Sequence, residues 1–345
     1  MRQILITILL IASIGATSQE GQFSQYFSSW ALTNPAFVGT IPNPSINTNY
    51  KRGGNEESGS FQELLQTTAT YPLQKTTSRD FQIGGSAITF FRERRGFQGV
   101  YSLQKVLVTG AYGIRLSPLT NQSVIFALQG GVGQYRIDGQ NLTWGSQYNK
   151  YIGFDGALSG EQVASDLSSY PIINFGVLYS TYDNENYYVR DKSLVFGISI
   201  DNLNKPLIRS SNLGEVRRDR VFKAFGSLKV PFASRWYAHP SGYFLLTSGA
   251  EQINAGVLLS TDLSSPRSNT DLKIQVGSWY RVGDSMIVLG GFQVQNFKIG
   301  ASFDLNTQTF GIDKLLGNNQ PTFEISLSYI LLKSGKFKNV SSPIF

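Results

Sequence analysis

The chain contains no cysteine and a single histidine, and these two scarcities remove whole classes of chemistry before any pattern is read. Without cysteine there is no disulfide, no thiolate metal site, no cysteine nucleophile and no lipoprotein anchor. Charge is also sparse, 15% of residues against the roughly 25% usual for soluble domains, so a densely ionic surface is not available. The formal charge of +7 is scattered. Its densest clusters, Arg92-Glu93-Arg94-Arg95 and Arg217-Arg218-Asp219-Arg220, each include an acid and fall between strand-like runs, as loop or strand-end charges. That is not the basic stripe a nucleic-acid partner needs. Beyond the N-terminus no run of about 18 apolar residues occurs, so no helix downstream is expected to span a bilayer.

What is present begins with an export signal. Arg2 forms a short positive start, Ile4 to Ile14 an apolar stretch, and Ala16-Thr17-Ser18 the small residues that signal peptidase accepts. A transmembrane anchor is the competing reading, but the stretch is shorter than the roughly 20 residues a spanning helix requires. Cleavage after Ser18 would leave Gln19 at the mature terminus.

The body of the chain alternates with period two. Phe297, Ile299, Ala301, Phe303 and Leu305 share one face against Lys298, Gly300, Ser302 and Asp304. Phe323, Ile325, Leu327 and Tyr329 likewise oppose Glu324, Ser326 and Ser328. Similar patterns run through 222–230 and 272–276. Less regular runs lie near 45–52, 62–72, 81–91, 104–116, 122–135, 170–181, 187–201, 234–246, 251–262 and 284–294, each bounded by turn residues, which makes about fourteen strands. Most reach the 9–11 residues or so of a tilted membrane strand, where globular strands average about 5–6. The links 282–284 and 295–296 are tight, whereas 136–169 and 306–320 look like longer loops. An open sheet of this size leaves two edges of unpaired backbone, and lipid makes closure compulsory. A transmembrane antiparallel β-barrel in the outer membrane of a two-membraned bacterium follows, with lipid outside and polar residues within. Trp236, Tyr237, Trp279, Tyr280, Tyr187 and Tyr188 are candidates for its interfacial girdles, or alternatively for ordinary core aromatics of a soluble sandwich.

One segment differs in kind. From Gln22 to Gly39 the chain is dense in aromatics, does not alternate cleanly and carries a proline turn. So much apolar surface would not stay solvated, and the segment is expected to pack against the periplasmic mouth or the lumen. The expected organisation is a signal peptide (1–18), a plug or docking segment (19–44), the barrel (45–333) and a tail (334–345).

Chemistry is hard to find. His239 precedes Pro240 between two strand-like runs and reads as a turn residue. With Ser234 or Ser241 it makes at most an incomplete hydrolytic set, and zinc needs several converging ligands. Gly131-Val132-Gly133 sits inside a strand with no helix following, which rules out a phosphate loop and suits a curved barrel wall. The acceptor-like triplet at Asn141 has no role in a bacterial barrel. No catalytic residue, metal site or cofactor is expected.

Three stretches resemble the PorP/SprF group of outer-membrane proteins from Bacteroidota, associated with type IX secretion and gliding. The first is Gln22-Phe23-Ser24-Gln25-Tyr26 with Asn34-Pro35-Ala36-Phe37 and Gly39. The second runs from Gly277-Ser278-Trp279-Tyr280-Arg281 through Gly283-Asp284 to Lys298-Ile299-Gly300-Ala301-Ser302-Phe303-Asp304, and the third is Phe323-Glu324-Ile325-Ser326-Leu327-Ser328-Tyr329. Phe303 stands where the family usually has Tyr, and 136–220 offers little to match. The resemblance implies a non-enzymatic barrel working with type IX components and a cognate secreted surface protein, such as an adhesin. A channel or hydrophobic-solute transporter is the alternative. Gln22, Phe23, Gln25, Tyr26, Asn34, Pro35 and Gly39 are the residues expected to form the docking or plug element, or simply to seal the barrel. Partner identity, lumen state and oligomeric state are not legible.

Overall fold

The computed structural model describes residues 21–54, 61–74, 82–117, 122–138, 145–149, 151–155, 166–182, 192–210, 214–233, 235–263, 272–306 and 322–331. The expected signal peptide and tail, together with Asn141, Tyr187, Tyr188 and Ser234, lie outside them.

Eighteen strands occur among the described residues. The first five are β1 (Ser45–Gly53), β2 (Gln62–Gln74), β3 (Gln82–Arg95), β4 (Tyr101–Ser117) and β5 (Gln122–Ile137). Two short ones, β6 (Tyr148–Asn149) and β7 (Gly153–Phe154), precede β8 (Asp166–Tyr182) and β9 (Ser193–Asp201). A second short pair, β10 (Leu207–Ser210) and β11 (Gly214–Arg217), leads to β12 (Val221–Ala233), β13 (Trp236–Thr247) and β14 (Ala250–Asp262). The chain ends its sheet with β15 (Leu272–Arg281), β16 (Ser285–Val294), β17 (Phe297–Asn306) and β18 (Thr322–Ile330).

Fourteen of these form one closed antiparallel barrel, as the alternation predicts, and β6–β7 and β10–β11 are separate two-stranded hairpins in the links. Closure is made by β1 against β18, with Ser45 opposite Ile330 and Arg52 opposite Phe323. Every barrel strand therefore has two partner strands, so the sheet has no edge strand.

Alternation sorts the two faces sharply. Ile88 is 59% exposed while its neighbour Thr89 is fully buried, and Val106 and Val108 point outward between inward Lys105, Leu107 and Thr109. The outer wall is a continuous apolar surface; the inner wall mixes Thr, Asn, Gln, Ser and a few charges. In water such a wall would aggregate, whereas lipid solvates it. The same alternation corrects the girdle expectation. Adjacent residues in a strand face opposite ways, so Trp236 and Tyr280 are exposed outward whereas Trp279 is buried inside; Tyr237, half-buried, turns to the inner face with the Lys229 ammonium 4.5 Å from its ring. His239 is a second correction. It lies within β13 and not in a turn, buried on the inner face with Nε2 2.9 Å from Ser260 Oγ. Pro240 is compatible with the strand because it lies in the gap between the Ser227–Ser241 and Val230–Ala238 pairs of β12 with β13, where the ladder is interrupted and its missing N–H costs no bond.

The two ends of the barrel differ. Where β1 starts and β18 finishes, no link exceeds ten residues; the other end carries 138–165, 202–220 and 307–321, although 248–249 and 282–284 there are tight. The 202–220 link with its hairpin was not anticipated, and β9 begins at Ser193, later than the expected 187.

If lipid solvates the outer face, Val108→Arg should cost about 2–4 kcal/mol near the bilayer midplane. Reversible denaturant unfolding in lipid vesicles measures this; a change within about 0.5 kcal/mol, as at an ordinary wet surface, would contradict it.

Candidate functional site

The segment 21–44 runs inside the barrel. It enters beside the ends of β1, β3, β17 and β18 at the loop end and leaves at the opposite end to begin β1. Having no ladder of its own, it must satisfy its backbone groups on the wall, and the wall supplies charged and polar side chains to do so.

Attachment begins at Gly21, whose N–H donates to Glu93 Oε1 at 3.0 Å. The backbone N–H of Ser24 donates to Glu324 Oε2 at 2.6 Å, and that of Gln25 to both carboxylate oxygens at 3.3 Å. Ser24 Oγ donates to Asp304 Oδ2 and accepts from Lys51 Nζ at 2.6 Å and Arg281 Nη2 at 3.0 Å. Lys51 also pairs with Asp304 at 3.1 Å and donates to the Gln22 carbonyl at 3.0 Å. Arg281 bridges Asp304 at 3.4 Å and Asp284 at 2.8 Å. Lys51, Asp304 and Glu324 are all buried. Losing one partner of such a buried pair typically costs about 3–5 kcal/mol, because the other charge is stranded. The network therefore fixes the register of the segment tightly.

Gln25 is held by its whole amide: Nε2 donates to Ser302 Oγ at 3.1 Å and to the Glu324 carbonyl at 3.2 Å, and Oε1 accepts from Ser326 Oγ at 2.7 Å. A Cβ on Gly300 would lie 2.9 Å from that oxygen, so glycine there makes room for Gln25.

Next comes an aromatic cluster. Tyr26 stacks on Tyr243 at 5.2 Å and meets Phe225 edge-on at 5.8 Å, while Phe27 stacks on Trp279 at 5.1 Å. Ser241 Oγ joins them, 2.8 Å from Tyr26 Oη and accepting from Trp279 Nε1 at 3.0 Å. Burial pushes the Tyr26 phenol well above its ordinary ionisation range, so it stays a neutral hydrogen-bonding group. Phe23 packs edge-on against Phe91 at 6.4 Å.

The turn that follows, helix α1 (Trp30–Thr33), leaves orphan carbonyls at its C-terminus. Each is met from the wall: Ala31 by Gln129 Nε2, Leu32 by Lys223 Nζ at 2.6 Å, and Thr33 by Ser199 Oγ at 3.0 Å. Asn34 then caps a 3₁₀ helix at Pro35–Thr40, its Oδ1 accepting from Ala36 N at 2.9 Å, with Pro35 at a position needing no N–H. Its Nδ2 donates to the carbonyls of Val177 at 3.1 Å and Ile198 at 3.0 Å. That approach needs inward glycines: a Cβ on Gly197 would lie 2.7 Å from Asn34 Nδ2, and one on Gly176 would overlap Asn34 Oδ1. Gly39 sits against β4 and β5, where a Cβ would lie 2.6 Å from Ile125 Cγ2.

All seven residues singled out in the sequence thus lie in the lumen, and they fall into two groups. Gln22, Phe23, Gln25 and Tyr26 meet β1, β3, β12, β13, β15, β17 and β18; Asn34, Pro35 and Gly39 meet β4, β5, β8 and β9. The three stretches that carry the family resemblance form one site, since Trp279, Arg281, Gly300, Ser302, Asp304, Glu324 and Ser326 all surround Ser24–Phe27. The alternation places these inward, but which residue each would meet, and the roles of Lys51, Tyr243, Gly176 and Gly197, could not be read from it. No group of three or more His, Asp or Glu suited to a metal occurs among the described residues.

The family model described as Type IX secretion system membrane protein PorP/SprF matches residues 16–329. Comparison with curated proteins gives no match. Among solved structures the chain is similar to a Pseudomonas aeruginosa FadL homologue, with 11% identity, TM-score 0.43 and coverage of 88% of this chain and 94% of that one. It is also similar to the translocator domain of the autotransporter NalP from Neisseria meningitidis, with 10% identity, TM-score 0.39 and 96% of both chains covered. A third is the TodX monoaromatic hydrocarbon channel deltaS2 mutant, with 9% identity, TM-score 0.40 and coverage of 88% and 94%.

Two substitutions probe this attachment. Glu324→Gln replaces charge-assisted acceptance by neutral acceptance, roughly halving those bonds. A loss of about 1.4 kcal/mol raises the population of the released segment about tenfold, so chymotrypsin cleavage after Phe23, Tyr26 or Phe27 accelerates by that factor; an unchanged rate contradicts the arrangement. Gly176→Ala should destabilise by about 1–3 kcal/mol through overlap with Asn34. Gly110→Ala, where nothing lies within 4 Å, should be close to neutral in the same unfolding assay; equal effects at both positions would show that Asn34 is not held there.

Proposed function

Because the chain belongs to the PorP/SprF family of type IX secretion system membrane proteins, whose model spans residues 16–329, we propose that it is a non-enzymatic component of that secretion and gliding machinery. In this reading it supports export or surface anchoring of specific large secreted proteins, adhesins among them, from its place in the outer membrane. The end with the shorter links and the start of β1 faces the periplasm, and the loop end faces outward.

The observation that carries the reading is the family match together with a lumen occupied by Gln22–Gly39. A barrel whose interior is filled by its own buried segment is suited to holding a partner and poorly suited to passing solutes. Gln22, Phe23, Gln25, Tyr26, Asn34, Pro35 and Gly39 act as the plug that shapes this surface. The coupling of that segment to wall residues through buried charges supports a rigid scaffold over a gated pore.

Deleting the gene should leave a subset of type IX substrates unexported or unattached at the surface, read by surface proteomics and gliding. Normal delivery of every substrate and adhesin would overturn the proposal. In planar bilayers the intact protein should conduct poorly; steady large conductance would instead favour the channel alternative.

A further inference from the structure

The lipid-facing wall carries charge at few places. By alternation the outward-facing cations of the described barrel strands are Arg52, Arg92, Arg94 and Arg136, and all four stand near the loop ends of β1, β3 and β5. Three of them, Arg92, Arg94 and Arg136, meet in a groove of about 480 Å³ on the outer face of β3, β4 and β5, bordered by Phe97 and Val100 of the turn that joins β3 to β4.

Strand register builds the groove from two rows. Arg94 lies opposite Ser102 and Ser102 opposite Arg136; in the next row away from the loops, Arg92 lies opposite Gln104 and Gln104 opposite Gln134. Two of the arginines are committed to acids, Arg94 to Glu63 at 3.8 Å and Arg136 to Asp138 at 3.3 Å. Arg92 is not. Its side chain makes no hydrogen bond or ion pair among the described residues, and its Nε is buried without an acceptor there. The side chains of its neighbours Ser102 and Gln104 make no hydrogen bond among the described residues either. A buried guanidinium N–H with nothing to donate to is destabilising, and a ligand that brings an anionic oxygen relieves it.

The row beneath decides what kind of ligand fits. Phe90, Val106 and Val132 lie opposite one another and face outward, directly below Arg92, Gln104 and Gln134. On β4 the outward positions from Val106 to Leu116 are apolar, a stretch that matches the 9–11 residues or so of a tilted strand crossing the hydrocarbon. The apolar band therefore ends between Val106 and Gln104, and the Arg92 row stands at headgroup level. A free anion has no use for the greasy row below, whereas a molecule with a phosphate and acyl chains engages both.

We propose that this groove binds a phosphorylated glycolipid of the leaflet at the loop end. The phosphate sits on Arg92, whose planar fork matches phosphate oxygens. The sugar hydroxyls meet Ser102, Gln104 and Gln134, neutral groups that both donate and accept, and the acyl chains run along Phe90, Val106 and Val132. The inference uses the placement of the barrel in the outer membrane and is independent of the secretion role.

Native mass spectrometry of the intact protein in mild detergent, titrated with lipid A, tests it. The controls are lipid A stripped of its phosphates, phosphatidylglycerol, and glucose 1-phosphate, which has no acyl chains. Lipid A should be retained, and each control should bind at least about tenfold more weakly. R92Q should lower lipid A affinity by about the same factor while the barrel keeps its heat-modifiable migration on gels. R209Q, which removes an exposed arginine paired with Glu215 on the β10–β11 hairpin, should leave it unchanged. The double variant Q104A/Q134A should weaken lipid A and spare phosphatidylglycerol, a selective loss that damage to the fold would not produce. Unchanged lipid A binding in R92Q, or an equal loss in R209Q, overturns the proposal. Equal binding of the dephosphorylated lipid removes the phosphate, equal binding of phosphatidylglycerol removes the sugar, and equal binding of glucose 1-phosphate makes this a solute site; each of these also overturns it.

Discussion

Glu324 accepting the backbone N–H groups of Ser24 and Gln25 is the contact on which the lumen depends. A chain threaded through a barrel has peptide groups that cannot reach water or a strand partner, and each one left unmet costs about 1–3 kcal/mol. The wall answers with carboxylates for N–H groups near Gly21–Gln25 and with amide, ammonium and hydroxyl donors for the carbonyls of Ala31–Thr33. Lys51 and Arg281 balance the acids, so the segment is held in one register and not merely packed by apolar contact.

From that attachment the functional picture follows. Pinning Ser24 sets Tyr26 and Phe27 onto Tyr243 and Trp279, and the capped carbonyls of α1 direct Asn34 onto the glycines of β8 and β9. The upper surface of the same segment then borders a cavity whose lining includes Phe61, Phe91, Tyr101 and Tyr135. A member of the PorP/SprF family built this way carries its own N-terminal segment inside the barrel, with a recess above it at the loop end.

Much of the fold was legible because alternation is a local property. The strands at 297–305 and 323–329 assigned their own inner faces, and those faces hold Ser302, Asp304, Glu324 and Ser326 where the segment binds. The count of barrel strands was legible for the same reason. What alternation does not encode is which inward residue a non-repeating segment will meet across the lumen, because that depends on register summed around the whole ring. Trp279 and Tyr237 were candidates for the lipid interface, yet only one member of each adjacent pair can face out. His239 looked like a turn residue because proline usually marks one, and Pro240 is tolerated in the strand where the pairing with β12 is interrupted. The β10–β11 hairpin was missed since 202–220 carries no alternating run long enough to register as a strand.

The contacts of the segment with the wall should hold residues 21–40 inside the folded barrel as firmly as the strands around them. Hydrogen–deuterium exchange of the wild-type protein in lipid nanodiscs, read on peptides spanning these residues, tests it directly. Protection comparable to that of β17 and β18 is the predicted result; exchange at the rate of an unstructured chain, with the strands still protected, would contradict the account.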